Sequence, residues 1–259
     1  NKCIFFYFEH PVHELQVNEL LESDIVVYCA AAGVQSNNSL SNSLIYELNT
    51  FLPIKIFDIL NANNFAGKWI SFGSYFEIGV NNSMHYFNEN EIISSLFAAP
   101  NSYCVSKRLH SRFMFDNKYS LKWFHLILPT IYGKEENKNR LLHYIVNSLK
   151  VGIIPKLSFG KQIRQYLHAY DLVRLIETLF SNSVESGIYN VACGDTVSIS
   201  EIAKLVFSRF KCDVNEALGL ISTRDDSMDV LLLNSSKLIN SVQWHPLIKI
   251  ESGIDEYIG

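Results

Sequence analysis

The chain is poor in the residues that mark several common kinds of site. None of its 12 glycines precedes Gly33, so the opening stretch holds no glycine-rich loop of the kind that cradles phosphate at a helix N-terminus. Its five cysteines, Cys3, Cys29, Cys104, Cys193 and Cys212, are odd in number and scattered, with no C-x-x-C. That spacing argues against a zinc ribbon or a disulfide framework and suits a reducing cytoplasm. Cys3 and Cys29 lie in apolar, strand-like runs and read as packing residues. No basic run exceeds two residues and the formal net charge is −4. Nucleic acid is therefore not expected as a partner, because binding it needs a clustered positive surface. No apolar stretch reaches membrane-spanning length without polar interruption, and no signal peptide is visible. His10-Pro-Val-His13 carries a proline between its histidines and has no Cys/His cluster nearby. It reads as a strand-to-helix turn, and no metal is expected.

What is present suits a globular enzyme. At 48% hydrophobic and 19% charged, the 259 residues can bury a substantial core, and disorder is excluded as a default. Apolar runs of strand length alternate with stretches of helical spacing. The predicted order is a strand over 3–8, a helix over 14–22, a strand over 24–29, a helix over 40–61, a strand over 68–73, a helix over 101–118 and a strand over 122–128. A polar, irregular stretch follows around Lys134–Asn139, then a helix near Arg140–Lys150. Strands are predicted near Arg164–His168 and Ile188–Val191, and a helix from Ser198. An irregular segment holding Arg224 and a terminal helix close the chain. This alternation predicts an α/β fold with a parallel sheet and crossover helices.

The most informative residues are Ser74, Tyr103 and Lys107. On a helix, positions i and i+4 share a face, which places the Lys107 ammonium near the Tyr103 phenol. A neighbouring positive charge stabilises phenolate and is expected to draw its pKa towards neutrality. A phenol so tuned donates or accepts a proton at working pH. Ser74 ends a strand-like run and can hydrogen-bond an oxygen on which charge develops. A lone Y-x-x-x-K also occurs on ordinary amphipathic helices. Its position just after Pro100, at the start of a helix that follows a strand, fits a site at the strand ends of an open α/β sheet.

Around these residues, several motifs follow one another in a known order. They are Asp24-Ile-Val-Val-Tyr-Cys-Ala-Ala-Ala32, Glu47-Leu-Asn49, Ile131-Tyr132-Gly133, and Gly160-Lys-Gln-Ile-Arg164 running on to Asp171. Gly187-Ile-Tyr-Asn-Val-Ala-Cys-Gly194 with Ser198-Ile-Ser-Glu-Ile-Ala203 comes next, then Arg224 and Gln243-Trp244-His-Pro246. On these the chain resembles an extended short-chain dehydrogenase/reductase of the nucleotide-sugar-modifying, NAD-dependent epimerase/dehydratase family. Departures are Ile127, Gln165 and Asn234, where the family often has Arg, Asp and Asp. In that family a strand, a glycine loop, a helix and a second strand precede the point where this sequence opens. Since the first residue is not Met, the expectation is a preceding segment of several dozen residues that carries the loop.

The resemblance implies a Rossmann-type domain of residues 1–133 with 164–192, and a smaller nucleotide-sugar-binding lobe of 134–163 with 193–259. It implies NAD or NADP as cofactor, contacted by Cys29, Ala30, Ala31, Asn49, Tyr103, Lys107 and Pro129. It implies a nucleoside-diphosphate sugar as substrate, contacted by Ser74, Thr130, Asn139, Arg164 and Arg224. Ser74, Tyr103 and Lys107 become the catalytic set. It also implies a homodimer, paired through the helix carrying Tyr103 and the one before it, within Leu44–Leu60 and Leu109–Phe115. Family dehydratases place an acidic pair after the Ser/Thr; here Tyr75 and Phe76 stand there, so dehydration is rejected. The bulky pair resembles the reductases of 4-keto-deoxysugar nucleotides, such as CDP-abequose and paratose synthases. The expected activity is NAD(P)H-dependent reduction at C4. The alternatives are a sugar-nucleotide 4-epimerase with tightly bound NAD, and a degenerate binding protein without catalysis.

Overall fold

The computed structural model describes residues 10–33, 40–116, 119–192, 195–222 and 228–259. The predicted strand over 3–8 and the segment with Arg224 lie outside these. His10 to His13 form a turn, as expected. A short helix α1 (Val17–Leu21) occupies part of the predicted 14–22 helix, and β1 (Ile25–Tyr28) follows. The long predicted helix over 40–61 is continuous but not uniform: α2 (Asn42–Tyr46), a π-helical turn (Glu47–Phe51) and α3 (Leu52–Ala62). Ser41 caps it, accepting from Leu44 N at 3.3 Å. Pro53 falls at the start of α3.

The next elements are β2 (Lys68–Ser74), a 3₁₀ turn (Tyr75–Ile78), α4 (Glu89–Ile93), α5 (Ser102–Asp116), β3 (Lys122–Leu128), β4 (Thr130–Tyr132) and α6 (Leu141–Lys150). The predicted strand near 164–168 is two strands, β5 (Ile163–Arg164) and β6 (Tyr166–His168). They are followed by α7 (Ala169–Ser181), β7 (Gly187–Asn190), β8 (Val197–Ser198), α8 (Ile199–Phe210), a 3₁₀ turn (Val214–Glu216), α9 (Ser236–Ser241) and α10 (Ile250–Ile258).

Strands β1-β2-β3-β7 form one sheet in that order, every pair parallel. Successive side chains on a strand face opposite sides, and both sides are apolar here. Trp69, Trp123, Ile127 and Ile188 pack with Phe57 and Leu60 of α3 and Met114 of α5. Ile70, Phe124, Leu126, Tyr189 and Val191 pack with Leu175 and Leu179 of α7 and Leu238 of α9. The result is a sheet between two helical layers, the Rossmann-type arrangement. A third cluster joins Leu142, Ile145 and Val146 of α6 to Ile202, Val206 and Phe207 of α8, with Tyr132, Tyr166 and Ile254.

The C-terminal segment is fastened to the sheet layer through Asp171, which is fully buried. Its carboxylate accepts from Leu247 N at 3.0 Å, Ile248 N at 2.9 Å and Arg174 Nη1 at 2.8 Å. Its main-chain oxygen accepts from Trp244 Nε1 at 3.2 Å. Among the described residues, no helix is long and apolar enough to cross a membrane.

Candidate active site

The carboxyl ends of β1, β2 and β3 open into a cleft of about 670 Å³. Its floor is the small-residue run Cys29, Ala30, Ala31, Ala32 and Gly33 that continues β1. Ser74, Tyr75 and Phe76 enter from the end of β2, Tyr103 and Lys107 from α5, and Pro129 and Thr130 from the junction of β3 and β4. The sequence-predicted residues Ser74, Cys29, Ala30, Ala31, Tyr103, Lys107, Pro129 and Thr130 thus meet in one place. Cys29 faces this cleft and is exposed, so its reading as a packing residue is corrected. Cys104, one position from Tyr103, points the other way; it is fully buried and its thiol is pushed up to about 11 by burial.

Asn49 does not line the cleft. It is fully buried in the π-helical turn, where its Oδ1 accepts from Ala32 N and its Nδ2 donates to Ala32 O, each at 2.9 Å. Nδ2 also donates to Ser106 Oγ at 3.0 Å. Its role in the structure is to hold the floor against α5. The wider helical turn supplies that reach, and π turns occur often at functional sites. Arg164 and Asn139 belong to a side recess that adjoins the cleft along Tyr75, Phe76, Thr130 and Arg140. Asn139 is exposed there. Arg164 is buried, with Nη2 donating to Met228 O at 2.7 Å and Nη1 to Asp229 O at 3.1 Å.

The electrostatics differ from expectation at one point. Burial holds the Tyr103 phenol above its ordinary pKa, outweighing a hydrogen bond with Ser74 that pulls it down; Glu77 raises it further and Arg140 lowers it. Lys107 is not the cation that tunes it. The ammonium donates instead to Phe72 O at 2.8 Å. Burial pushes Lys107 down to about 8, opposed by Glu77. The reason is geometric: α5 packs close against β2, so the lysine reaches the strand backbone.

Sequence reasoning missed two residues, Arg140 and Glu77, and did not foresee the hydroxyl contact of Tyr75. Arg140, at the N-cap of α6, borders both cleft and recess; it donates to Ile131 O at 2.7 Å and stands 3.8 Å from Glu136. Tyr75 is buried and its hydroxyl is hydrogen-bonded to Thr130. Glu77, fully buried, accepts from Ser74 N at 2.7 Å. Ser-x-x-Glu at 74–77 is a capping-box pattern, and that was the available signal for Glu77.

The model of the NAD dependent epimerase/dehydratase family matches residues 13–192. The chain belongs to that family.

CDP-abequose synthase of Salmonella muenchen is 19% identical over 221 residues, covering 82% of this chain and 69% of that protein. ADP-L-glycero-D-manno-heptose-6-epimerase of Brachyspira hyodysenteriae is 30% identical over 168 residues, 61% of this chain and 53% of that protein. The chain thus spans about half to two thirds of the length of these relatives. Among solved structures, UDP-N-acetylglucosamine 4-epimerase of Methanobrevibacter ruminantium superposes with a TM-score of 0.81 at 18% identity, over 95% of this chain and 79% of that one. dTDP-glucose 4,6-dehydratase of Bacillus anthracis, solved with NAD, superposes with a TM-score of 0.77 at 16% identity, over 93% and 73%. These likenesses show the Rossmann-type fold.

Proposed function

We propose that this family member reduces a nucleotide-linked 4-keto-deoxysugar at C4, using NADH or NADPH. The observation that carries the reading is the convergence of Ser74, Tyr103 and Lys107 at the strand ends, with the Tyr75 and Phe76 rings directly after Ser74. The Phe76 and Tyr103 rings stand edge to face with centroids 6.2 Å apart. The floor from Cys29 to Gly33 carries small side chains, which fits the close approach of a flat dinucleotide ring. A bound reduced nicotinamide supplies hydride to the carbonyl carbon. Ser74 donates a hydrogen bond to the carbonyl oxygen, where charge develops. Tyr103, kept protonated by its burial, gives that oxygen its proton. Lys107 would offer its ammonium to the hydroxyls of a bound ribose. No acidic pair stands directly after Ser74 to eliminate water, Tyr75 and Phe76 occupying those positions, and the two rings hold the sugar with one face presented.

The lobe of 134–163 with 193–259 holds the substrate over the domain of 1–133 with 164–192. In that arrangement Thr130, Asn139, Arg164 and Arg224 receive the nucleoside diphosphate. The exposed apolar side chains Phe51, Val105 and Leu109, on two helices that pack together, supply a surface for a second copy. A cytoplasmic setting provides reduced cofactor. The relatives named as epimerases support a second reading, in which bound NAD is reduced and reoxidised in each turnover.

One experiment separates the two. The protein is mixed with NADH or NADPH and a panel of nucleoside-diphosphate 4-keto-6-deoxysugars, and the reduced-nicotinamide absorbance is followed. Stoichiometric oxidation with at least one ketosugar is expected. No oxidation, together with interconversion of epimers by protein that retains NAD, overturns the reductase reading.

A further inference from the structure

Behind the cleft, between β2, β3 and α5, lies a buried cluster of titratable groups that the reduction as written does not use. Glu77, His110 and His125 are each no more than 1% exposed, and Lys107 is 5% exposed. Gly73 shows how closely they meet. A Cβ on Gly73 would lie 2.7 Å from Glu77 Oε1 and 2.8 Å from His125 Nε2. The carboxylate and the imidazole therefore converge on one point, at the peptide whose oxygen, Phe72 O, receives the Lys107 ammonium. Glu77 is fixed from both ends: its Oε1 accepts from Ser74 N at 2.7 Å and its main-chain oxygen from Arg108 Nε at 2.6 Å. Burial raises its carboxyl pKa, against which a hydrogen bond with Ser111, the Ser74 amide and the charges of Lys107 and Arg108 act.

The other groups around Lys107 do not supply negative charge. His125 is held between Ser71 Oγ at 2.8 Å and Ser111 Oγ at 2.9 Å, and burial, then Lys107, push it down to about 3. His110 stacks edge-on against it at 4.8 Å, with neither ring nitrogen partnered, and is likewise kept neutral. Arg108 is a cation committed to Glu77 O, Ile78 O and Phe97 O. Tyr103 is held protonated by burial, Cys104 keeps its thiol, and Arg140 faces the cleft. A buried carboxylate is costly unless a charge answers it. Burial favours the neutral form of both Glu77 and Lys107, and each draws the other towards its charged form.

We propose that Glu77 is a positioning residue of this site, a buried carboxylate that fixes Ser74 through its backbone amide and supplies the counter-charge that keeps Lys107 an ammonium. The proposal rests on the reading of Tyr103 and Lys107 as the working pair. Without Glu77 the desolvated lysine gives up its proton at lower pH. It would then meet the ribose hydroxyls as a neutral amine.

The test needs no turnover. Protein labelled with [ε-13C]lysine and [δ-13C]glutamate is titrated by NMR, the Lys107 resonance being assigned by its loss in Lys107→Arg. The wild-type Lys107 signal is expected to titrate near pH 8, and in Glu77→Gln, which retains an acceptor for Ser74 N, at least about one unit lower. Coincident midpoints overturn the proposal. Independently of any variant's folding, the wild-type Glu77 carboxyl is expected to be ionised at pH 7. A protonated Glu77 beside a charged Lys107 overturns it as well. A chain that proves to be an epimerase, or shows no turnover, leaves these midpoints unchanged, so failure of the reductase reading is separable from failure of this one.

Discussion

Asn49 and Ala32 exchange two hydrogen bonds of 2.9 Å, the side-chain amide of one reading both the N–H and the C=O of the other. A single side chain therefore fixes the end of the small-residue floor, and its third contact, to Ser106 at 3.0 Å, fixes that floor to α5. Asn49→Leu leaves a buried donor and acceptor unpaired. It is expected to destabilise the protein by about 1–3 kcal/mol. Urea unfolding measures this, and an unchanged midpoint removes the bracket from the account.

Tyr103→Phe deletes the proton donor and keeps the ring that packs against Phe76. Folding and dinucleotide affinity are expected to persist while turnover falls by at least about a hundredfold, the scale of a lost general acid. Single-turnover absorbance of the reduced nicotinamide checks it. Near-normal turnover in the pure variant takes Tyr103 out of its role.

The pH dependence follows from the two shifts in the site. Burial keeps Tyr103 protonated well into the alkaline range, so the phenol does not limit turnover near neutrality. Lys107, pushed down to about 8, is an ammonium below that pH and an amine above it. Turnover is accordingly expected to decline as pH rises through about 8. Initial rates from pH 6 to 9.5, at saturating cofactor, decide it; a level profile across that range counts against a required ammonium.

Arg164 lines the side recess, and its guanidinium holds Met228 O and Asp229 O. Arg164→Ala is expected to weaken nucleoside-diphosphate binding by roughly 1.5–3 kcal/mol, with little change in dinucleotide affinity. Calorimetry with UDP, CDP and dTDP tests this. Affinity unchanged for all three assigns the residue to the scaffold alone.

The sheet was legible where a strand is buried on both faces and bounded by polar turns. Lys122–Leu128 matches its prediction for that reason, and so, nearly, does Lys68–Ser74. The strand expected over 164–168 divides at Gln165, whose side chain accepts from Leu233 N at 2.7 Å and donates to Leu233 O at 3.3 Å. Ile163–Arg164 pairs with Val197–Ser198, and Tyr166–His168 with Thr130–Tyr132. Partners so distant leave no mark on a five-residue window. In the site, Tyr103, Lys107 and Ser74 were legible because helical spacing and a strand end dictate where they project. The direction of the Lys107 ammonium was not, because the separation of α5 from β2 decides it. Glu77 and Arg140 carry ordinary local signals, a helix cap and a polar stretch; only the packing turns Arg140 towards the cleft and Glu77 to the buried side behind Ser74.

On the ribosome, Asp171 is made 76 residues ahead of Leu247, whose amide it accepts. Until that later segment has left the exit tunnel, the carboxylate has Arg174 and water for company. Enclosing it in that state is unfavourable, so the helix it opens stays undocked and one face of the sheet remains uncovered during synthesis. Nascent chains arrested before Trp244 are expected to be cut readily by protease within Ala169–Ser181, and released chains to resist. Equal resistance in the two would mean that the face closes without its C-terminal fastening.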